Sequence, residues 1–161
     1  MFSIVRSSLN LRLAVYAGIV AGVAATVVQI ALWAGFTNDL PWVLYRDARL
    51  TAAILMGREV LPPPAVFAWD VMLAATLVHF ALAILYSMVL ACFISRLGTM
   101  RSLLAGILYG LVLYGINMHG FTIVFPWFSV VRDWITIVTH AVFGAAMAGA
   151  YMKLNRATSS L

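Results

Sequence analysis

Four side chains stand out as able to do chemistry in an otherwise apolar setting: Gln29, His79, Asn117 and His140. Each falls inside a long apolar run. A polar group there must find a partner, and an ionisable one marks a functional site by default. Two imidazoles on separate helices suit bis-histidine ligation of haem b in a four-helix bundle. Glycines would make room for the ring, and Arg58 or Arg132 would meet the propionates. The same histidines titrate near neutral pH, and Asp70 and Asp133 stand at the mouths of their helices, so a proton or small-solute path is a second use. A quinone or lipid pocket is a third. A metal site built on His79, His140 and Met147 would lack any carboxylate or cysteine at its level; zinc takes three or four ligands, so no metal is expected. The plainest use is structural: amides and imidazoles bonding one another to fix helix register, each bond worth about 0.6 kcal/mol.

Nothing else in the chain has the spacing of a catalytic centre. There is no G-x-S-x-G, no glycine-rich phosphate loop and no H-E-x-x-H, so no enzyme is expected. Asp39, Asp47 and Glu59 read as solvated loop charges. The one cysteine, Cys92, sits in an apolar run and leaves no intrachain disulfide to form.

The elements that must position these groups are membrane-spanning helices. Of 161 residues, 65% are hydrophobic and 9% charged, and the mean hydropathy is +1.04. A soluble domain carries about a quarter charged residues, and a disordered chain has low hydrophobicity. A span takes about 20 apolar residues, and four runs qualify, at 13–36, 71–95, 102–125 and 134–152. The expectation is an all-α, four-transmembrane-helix bundle in a single membrane domain covering 1–161. The opening MFSIVRSSLNLR leads into an apolar run too long for a signal peptide and is read as retained.

Charge sets the direction. Arg6, Arg12, Arg96, Arg101, Lys153 and Arg156 lie at one set of span ends with no acid among them. All five acids lie at the other, with Arg46, Arg49, Arg58 and Arg132. The positive-inside rule then makes both termini cytoplasmic. The five tryptophans all fall at the outer interface, where an indole is favoured. The basic residues are scattered singly, so the net charge of +5 does not mark a nucleic-acid surface. In the outer loop, 37–70, Pro41 suits a helix start and Gly57 a helix end, which predicts a helix on the outer surface or capping the bundle. VLPPP is expected to form a stiff extended strut.

A repeat underlies the polar groups. AGIVAGVAATVVQ, from Ala17, aligns with AGILYGLVLYGIN, from Ala105. Gly18 then matches Gly106, Gly22 matches Gly110 and Gln29 matches Asn117, each offset by 88 residues. Spans two and four each carry one early histidine, so the helix pairs form a parallel repeat. At about 1.5 Å per residue all four polar groups lie roughly 9–12 Å below the outer boundary. The stripes Gly18, Gly22, Ala25, Gln29 and Thr136, His140, Gly144, Met147 each follow one helix face, which predicts small-residue seams with the polar groups turned inward. His119, two positions from Asn117, faces about 200° away, and with Phe125 and Trp127 is a candidate partner-facing surface.

Roughly the last 90 residues resemble the YagU-type small bacterial inner-membrane proteins. The likeness rests on His79 early in VHFALAILYS, LLAG at 103–106 after a basic turn, and His140 near the start of the last span. It does not extend to PWVLYRDARL or NMHGFTIVFPWF. Homologues of that kind are often labelled sodium:proline symporters, but four spans cannot supply the broken helices and repeat halves such transporters use. The resemblance implies a multi-pass protein of the bacterial inner membrane. The expected function is non-catalytic: an accessory or scaffolding subunit of a larger, respiratory or electron-transfer, membrane complex. The alternatives are a haem b- or ligand-binding protein using His79 and His140, and a small proton or solute transporter acting as a homo-oligomer.

Overall fold

The computed structural model describes residues 10–159, which form five α-helices and no strand. The N-terminal stretch with Arg6 lies outside the described residues. Four helical stretches are long and apolar enough to cross a membrane: Leu11–Phe36, Trp69–Ile94, Thr99–Ile123 and Trp134–Thr158. The chain is an all-α, multi-pass membrane protein built as a four-helix bundle.

Helix α1 (Leu11–Phe36) starts where the Asn10 side chain accepts the Leu13 N–H at 3.3 Å. An asparagine at this position supplies one of the acceptors a helix start lacks. Helix α2 (Trp42–Met56) follows Pro41 and stops at Gly57, whose φ of 93° only glycine adopts without strain. The helix predicted between Pro41 and Gly57 is therefore present. Residues 62–64 bend instead of forming the expected extended strut. Helix α3 (Trp69–Ile94) and helix α4 (Thr99–Gly115) are joined by a tight turn. Helix α5 (Trp134–Ser159) begins where the Asp133 carboxylate accepts the Thr136 N–H at 2.8 Å, so this acid caps a helix. It continues past Met152, where the apolar run ends.

The third span departs from the expected uniform helix. Its α-helical part ends at Gly115. A π turn covers Ile116–Gly120, and 3-10 turns follow at Phe121–Ile123 and Pro126–Val131. Gly115 precedes the π turn and Gly120 ends it, both of low helix propensity. Widening frees the Met118 carbonyl, which accepts from Arg132 Nε at 2.6 Å; a second Arg132 nitrogen donates to Thr122 Oγ1 at 2.8 Å. Arg132 thus locks the irregular segment.

Helix α5 packs closely against both α1 and α4, and α1 also packs on α3, whereas α3 and α4 scarcely touch. The seams are made of small residues. A methyl added to Gly18 would lie 2.8 Å from the Ala83 carbonyl oxygen, and one on Gly22 would lie 3.2 Å from His79 Nε2. One added to Gly106 would meet the Gly144 carbonyl, and one on Gly110 the His140 carbonyl. The offset of 88 therefore reappears as geometry: each glycine pair clasps the same stretch of its partner helix, around His79 and Ala83 in one case and His140 and Gly144 in the other. Away from the loops the bundle is solid, filled by Leu13, Leu90, Ile94, Met147 and Tyr151.

Toward the loops the helices diverge and α2 fills the wedge. Ala52 packs with Val71, Ala74 and Ala75 of α3, while Val43 packs with Trp33 and Ile135. Trp33 is only 4% exposed. Its ring turns into the bundle against Val43 and Ile135 and does not face outward as an interfacial indole would. Arg49 ties the loop back by donating to the Val60 carbonyl at 3.1 Å and the Val66 carbonyl at 3.0 Å.

Candidate functional site

His140 shows how the backbone orients a functional ring. Its Nδ1 lies 2.8 Å from the Thr136 carbonyl one turn earlier. A carbonyl only accepts, so Nδ1 carries the proton and Nε2 holds the lone pair of a neutral ring. Asn117 Nδ2 donates to that Nε2 at 3.4 Å. Asn117 Oδ1 in turn accepts the Tyr86 hydroxyl at 2.8 Å, and the Tyr86 carbonyl accepts the Tyr109 hydroxyl at 3.1 Å. One directed chain of bonds therefore ties α3, α4 and α5 together where α3 and α4 otherwise barely meet. The Tyr114 ring stands 5.7 Å from the His140 ring, edge to face.

Tyr86→Phe removes the hydroxyl that holds the Asn117 amide. A net loss of about 1 kcal/mol is expected for one such bond. It should appear as a lower unfolding midpoint in detergent than that of Tyr16→Phe, whose ring is 60% exposed.

His79 is held differently. Its Nε2 lies 3.3 Å from the Gly22 carbonyl and 3.5 Å from Thr26 Oγ1, so this ring donates across the α1–α3 seam. Thr26 Oγ1 itself donates to the Gly22 carbonyl at 3.0 Å. Gln29, the counterpart of Asn117, makes no hydrogen bond among the described residues.

The four expected polar residues all line one cavity of about 440 Å³, but they form two separate arrangements instead of a single network. Its walls come from α1, α3, α5 and the π and 3-10 turns that follow α4, and α2 roofs it. Trp33, Phe80, Phe121 and Phe128 supply aromatic surface. Of the lining residues that stay exposed, Phe121 lies beyond α4, and Val23, Thr26, Val27 and Thr76 mark a mouth between α1 and α3 on the apolar outer surface of the bundle. Among the described residues no lysine or arginine lines the cavity.

Two lining groups escaped the sequence reading. Thr139 Oγ1 is buried in the wall without a hydrogen-bond partner. Asp47, expected to be a solvated loop charge, projects from α2 into the lining. Its side chain is 20% exposed and pairs with Arg46 at 2.7 Å. Burial raises its carboxyl from 3.8 to about 6, against the opposing pull of the Arg46 guanidinium, and the charge of Asp133 adds to the rise. Leu44, Asp47, Ala48, Thr51 and Ile54 share one helix face, a signal the sequence did contain.

The remaining candidates lie elsewhere. His119 is exposed and stacks edge to face on Tyr114 at 5.7 Å. Trp127, expected to face a partner, turns inward and donates its indole N–H to the Leu50 carbonyl at 2.9 Å; an indole in apolar surroundings needs such an acceptor. Phe125 packs on Trp127 at 5.3 Å. Arg58 lies over the Trp127 ring at 5.8 Å, and neither it nor Arg132 reaches the cavity.

Both imidazole Nε2 atoms are committed to hydrogen bonds, and the two arginines that would meet the propionates are engaged outside the cavity. Among the described residues no three His, Cys, Asp or Glu side chains gather as a metal site. The site can instead enclose an apolar body and meet a few polar atoms on it. No known protein family matches this chain, and no curated protein or solved structure shows detectable similarity to it.

Proposed function

We propose that this chain is a ligand-binding membrane protein whose cavity under α2 holds one small amphipathic molecule drawn from the bilayer. The observation that carries this reading is the pairing of an apolar cavity of about 440 Å³ with the buried, unpartnered hydroxyl of Thr139 and the half-buried carboxamide of Gln29, which makes no hydrogen bond among the described residues. Small-molecule sites have this character: volumes of about 300–1,000 Å³, mostly apolar walls and a few polar groups that orient the ligand. A buried hydroxyl without a partner costs about 1–3 kcal/mol, which a ligand atom would recover. The solid half of the bundle, filled by Leu90, Ile94 and Tyr151, argues against a transport path across it. The scattered cytoplasmic-type charge and the YagU-like stretch support a bacterial inner membrane with the cavity in the outer leaflet.

The test is native mass spectrometry of the protein released from nanodiscs. One small adduct per chain is expected, reduced severalfold in Thr51→Phe, which fills the cavity from α2, and retained in Thr51→Ala. A bare chain of 17.6 kDa from every preparation would defeat the proposal.

A second reading, an accessory subunit of a larger complex, is favoured by the exposed imidazole of His119 at the rim of the bundle. Stoichiometric co-purification of larger membrane proteins, lost on His119→Ala, is its signature.

A further inference from the structure

We infer that the occupant is a quinone-type molecule, a neutral planar ring bearing carbonyl oxygens, whose hydrocarbon tail leaves between α1 and α3. This rests on the ligand-binding reading above and assigns the chemical class.

Charge narrows the choice first. Among the described residues the lining holds one carboxylate, Asp47, and no lysine or arginine. A phosphate or carboxylate head would enter without a counter-ion and beside a like charge, at a cost of several kcal/mol per unpaired ion. Phospholipids and fatty acids are therefore disfavoured. Depth points the same way. Gln29 and His140 lie roughly 9–12 Å below the membrane boundary at about 1.5 Å per residue, below the level where lipid headgroups sit.

The polar groups match carbonyls and hydroxyls. Gln29 presents a whole carboxamide from α1, Thr139 an unpartnered hydroxyl from α5, and Asn117 a second N–H beyond the one given to His140. Carboxamides and hydroxyls both donate and accept. They can donate to a quinone's carbonyls and accept from a quinol's hydroxyls, so both redox forms fit without any change of charge. Because the donors come from different helices, a ring with oxygens on opposite edges meets more of them than a single hydroxyl does.

Shape completes the argument. Trp33, Phe80, Phe121 and Phe128 offer faces and edges to a flat ring, where offset or edge-to-face contacts add about 0.5–1.5 kcal/mol each. The mouth at Val23, Val27 and Thr76 opens into lipid, the phase in which such a molecule is dissolved.

The experiment titrates the full chain in detergent with a short-tailed benzoquinone, reading tryptophan fluorescence. Trp33 lines the cavity, so saturable quenching at one quinone per chain is expected, and Trp33→Phe should remove most of it. Thr139→Val keeps the shape and deletes the hydroxyl. It should weaken binding about fivefold, and Gln29→Leu added to it about tenfold or more, consistent with lost hydrogen bonds. Thr51→Phe should abolish saturation. Quenching that stays linear with quinone, or that survives Thr51→Phe unchanged, overturns the assignment. If quenching is linear while the one-per-chain adduct persists with a non-quinone mass, only the quinone class falls. If no adduct appears either, the ligand-binding reading falls with it. Displacement by diacylglycerol or a sterol with no response to quinone also overturns the assignment.

Discussion

Gly144→Ala is expected to cost the protein its fold. A methyl on Gly144 would overlap the Gly106 carbonyl and lie 2.8 Å from the Gly110 nitrogen; a methyl on Gly106 would overlap the Gly144 carbonyl. Both sides of the contact are backbone, so no flexible side chain can move aside. Overpacking a core usually costs about 1–3 kcal/mol. Here two helices must separate, which also breaks the Asn117–His140 bond and unseats one wall of the cavity, so a cost at or above the top of that range is expected. The measurement is the yield of monodisperse protein and its unfolding midpoint in a mild detergent. Gly35→Ala and Gly98→Ala are the controls, because a methyl at either meets nothing within 4 Å. Retention of the wild-type midpoint by Gly144→Ala would mean that α4 and α5 do not approach this closely. Gly149→Ala, whose methyl would sit 3.5 Å from Leu103 Cδ2, should be nearly neutral.

That seam was legible in the sequence because small-xxx-small spacing has one dominant cause in lipid. Without a hydrophobic drive between helices, close backbone approach is what holds them. The four spans were legible for an equally direct reason, since nothing else tolerates such long uncharged runs. The boundaries that failed did so where irregular backbone intervened. No hydropathy pattern reports a π turn at Ile116–Gly120, because the turn is sustained by Arg132, a residue beyond it in the chain. Trp33 and Trp127 were placed at the interface by their distance from helix ends. Distance along a helix gives depth, but whether the ring faces lipid depends on α2, whose docking is a tertiary event. Asp47 is hidden from sequence for the same reason: a charge next to an arginine looks solvated until α2 docks and turns it toward the cavity.

The repeat explains why the polar level is asymmetric. In the second half Asn117 reaches His140, and the imidazole turns its Nδ1 to Thr136. In the first half the equivalent of Thr136 is Ala75, and Gln29 is one methylene longer than Asn117. His79 donates instead to Gly22, and Gln29 is left without a partner. One half has become a closed hydrogen-bonded clamp that fixes α3 against α4 and α5. The other has kept an open carboxamide. The two halves of the pattern thus differ: one closes on itself and the other leaves its carboxamide open to the cavity.

Acidification should tighten the roof of the cavity, and Asp47 should be the cause. Its carboxyl titrates near 6 in the folded protein, above its ordinary 3.8, because its burial where α2 docks on the bundle outweighs the stabilising guanidinium of Arg46, with Asp133 adding repulsion. A folded-state value raised above the unfolded one means that the native state binds the proton more tightly. The contribution is therefore fully present below about pH 4 and is lost as pH rises through about 6. The full shift corresponds to about 3 kcal/mol at 1.36 kcal/mol per unit, an upper bound given the one-fifth exposure and the Arg46 contact. The observable is hydrogen exchange of the α2 amides, expressed as protection factors so that the intrinsic pH dependence cancels. Protection of Trp42–Met56 should rise severalfold, up to about tenfold, from pH 7.5 to pH 5, because only the part of the shift lying above pH 5 is drawn on in that interval. Asp47→Asn should show high protection at both values, because the neutral amide has no charge to desolvate. Protection in wild type that falls on acidification, or an Asp47→Asn variant that keeps the wild-type pH dependence, would show that this carboxyl does not govern the docking of α2. A quinone-type ligand, being neutral, should then bind more tightly at pH 5 than at pH 7.5 in the wild type and equally at both in Asp47→Asn, since only the roof and not the ligand changes its charge.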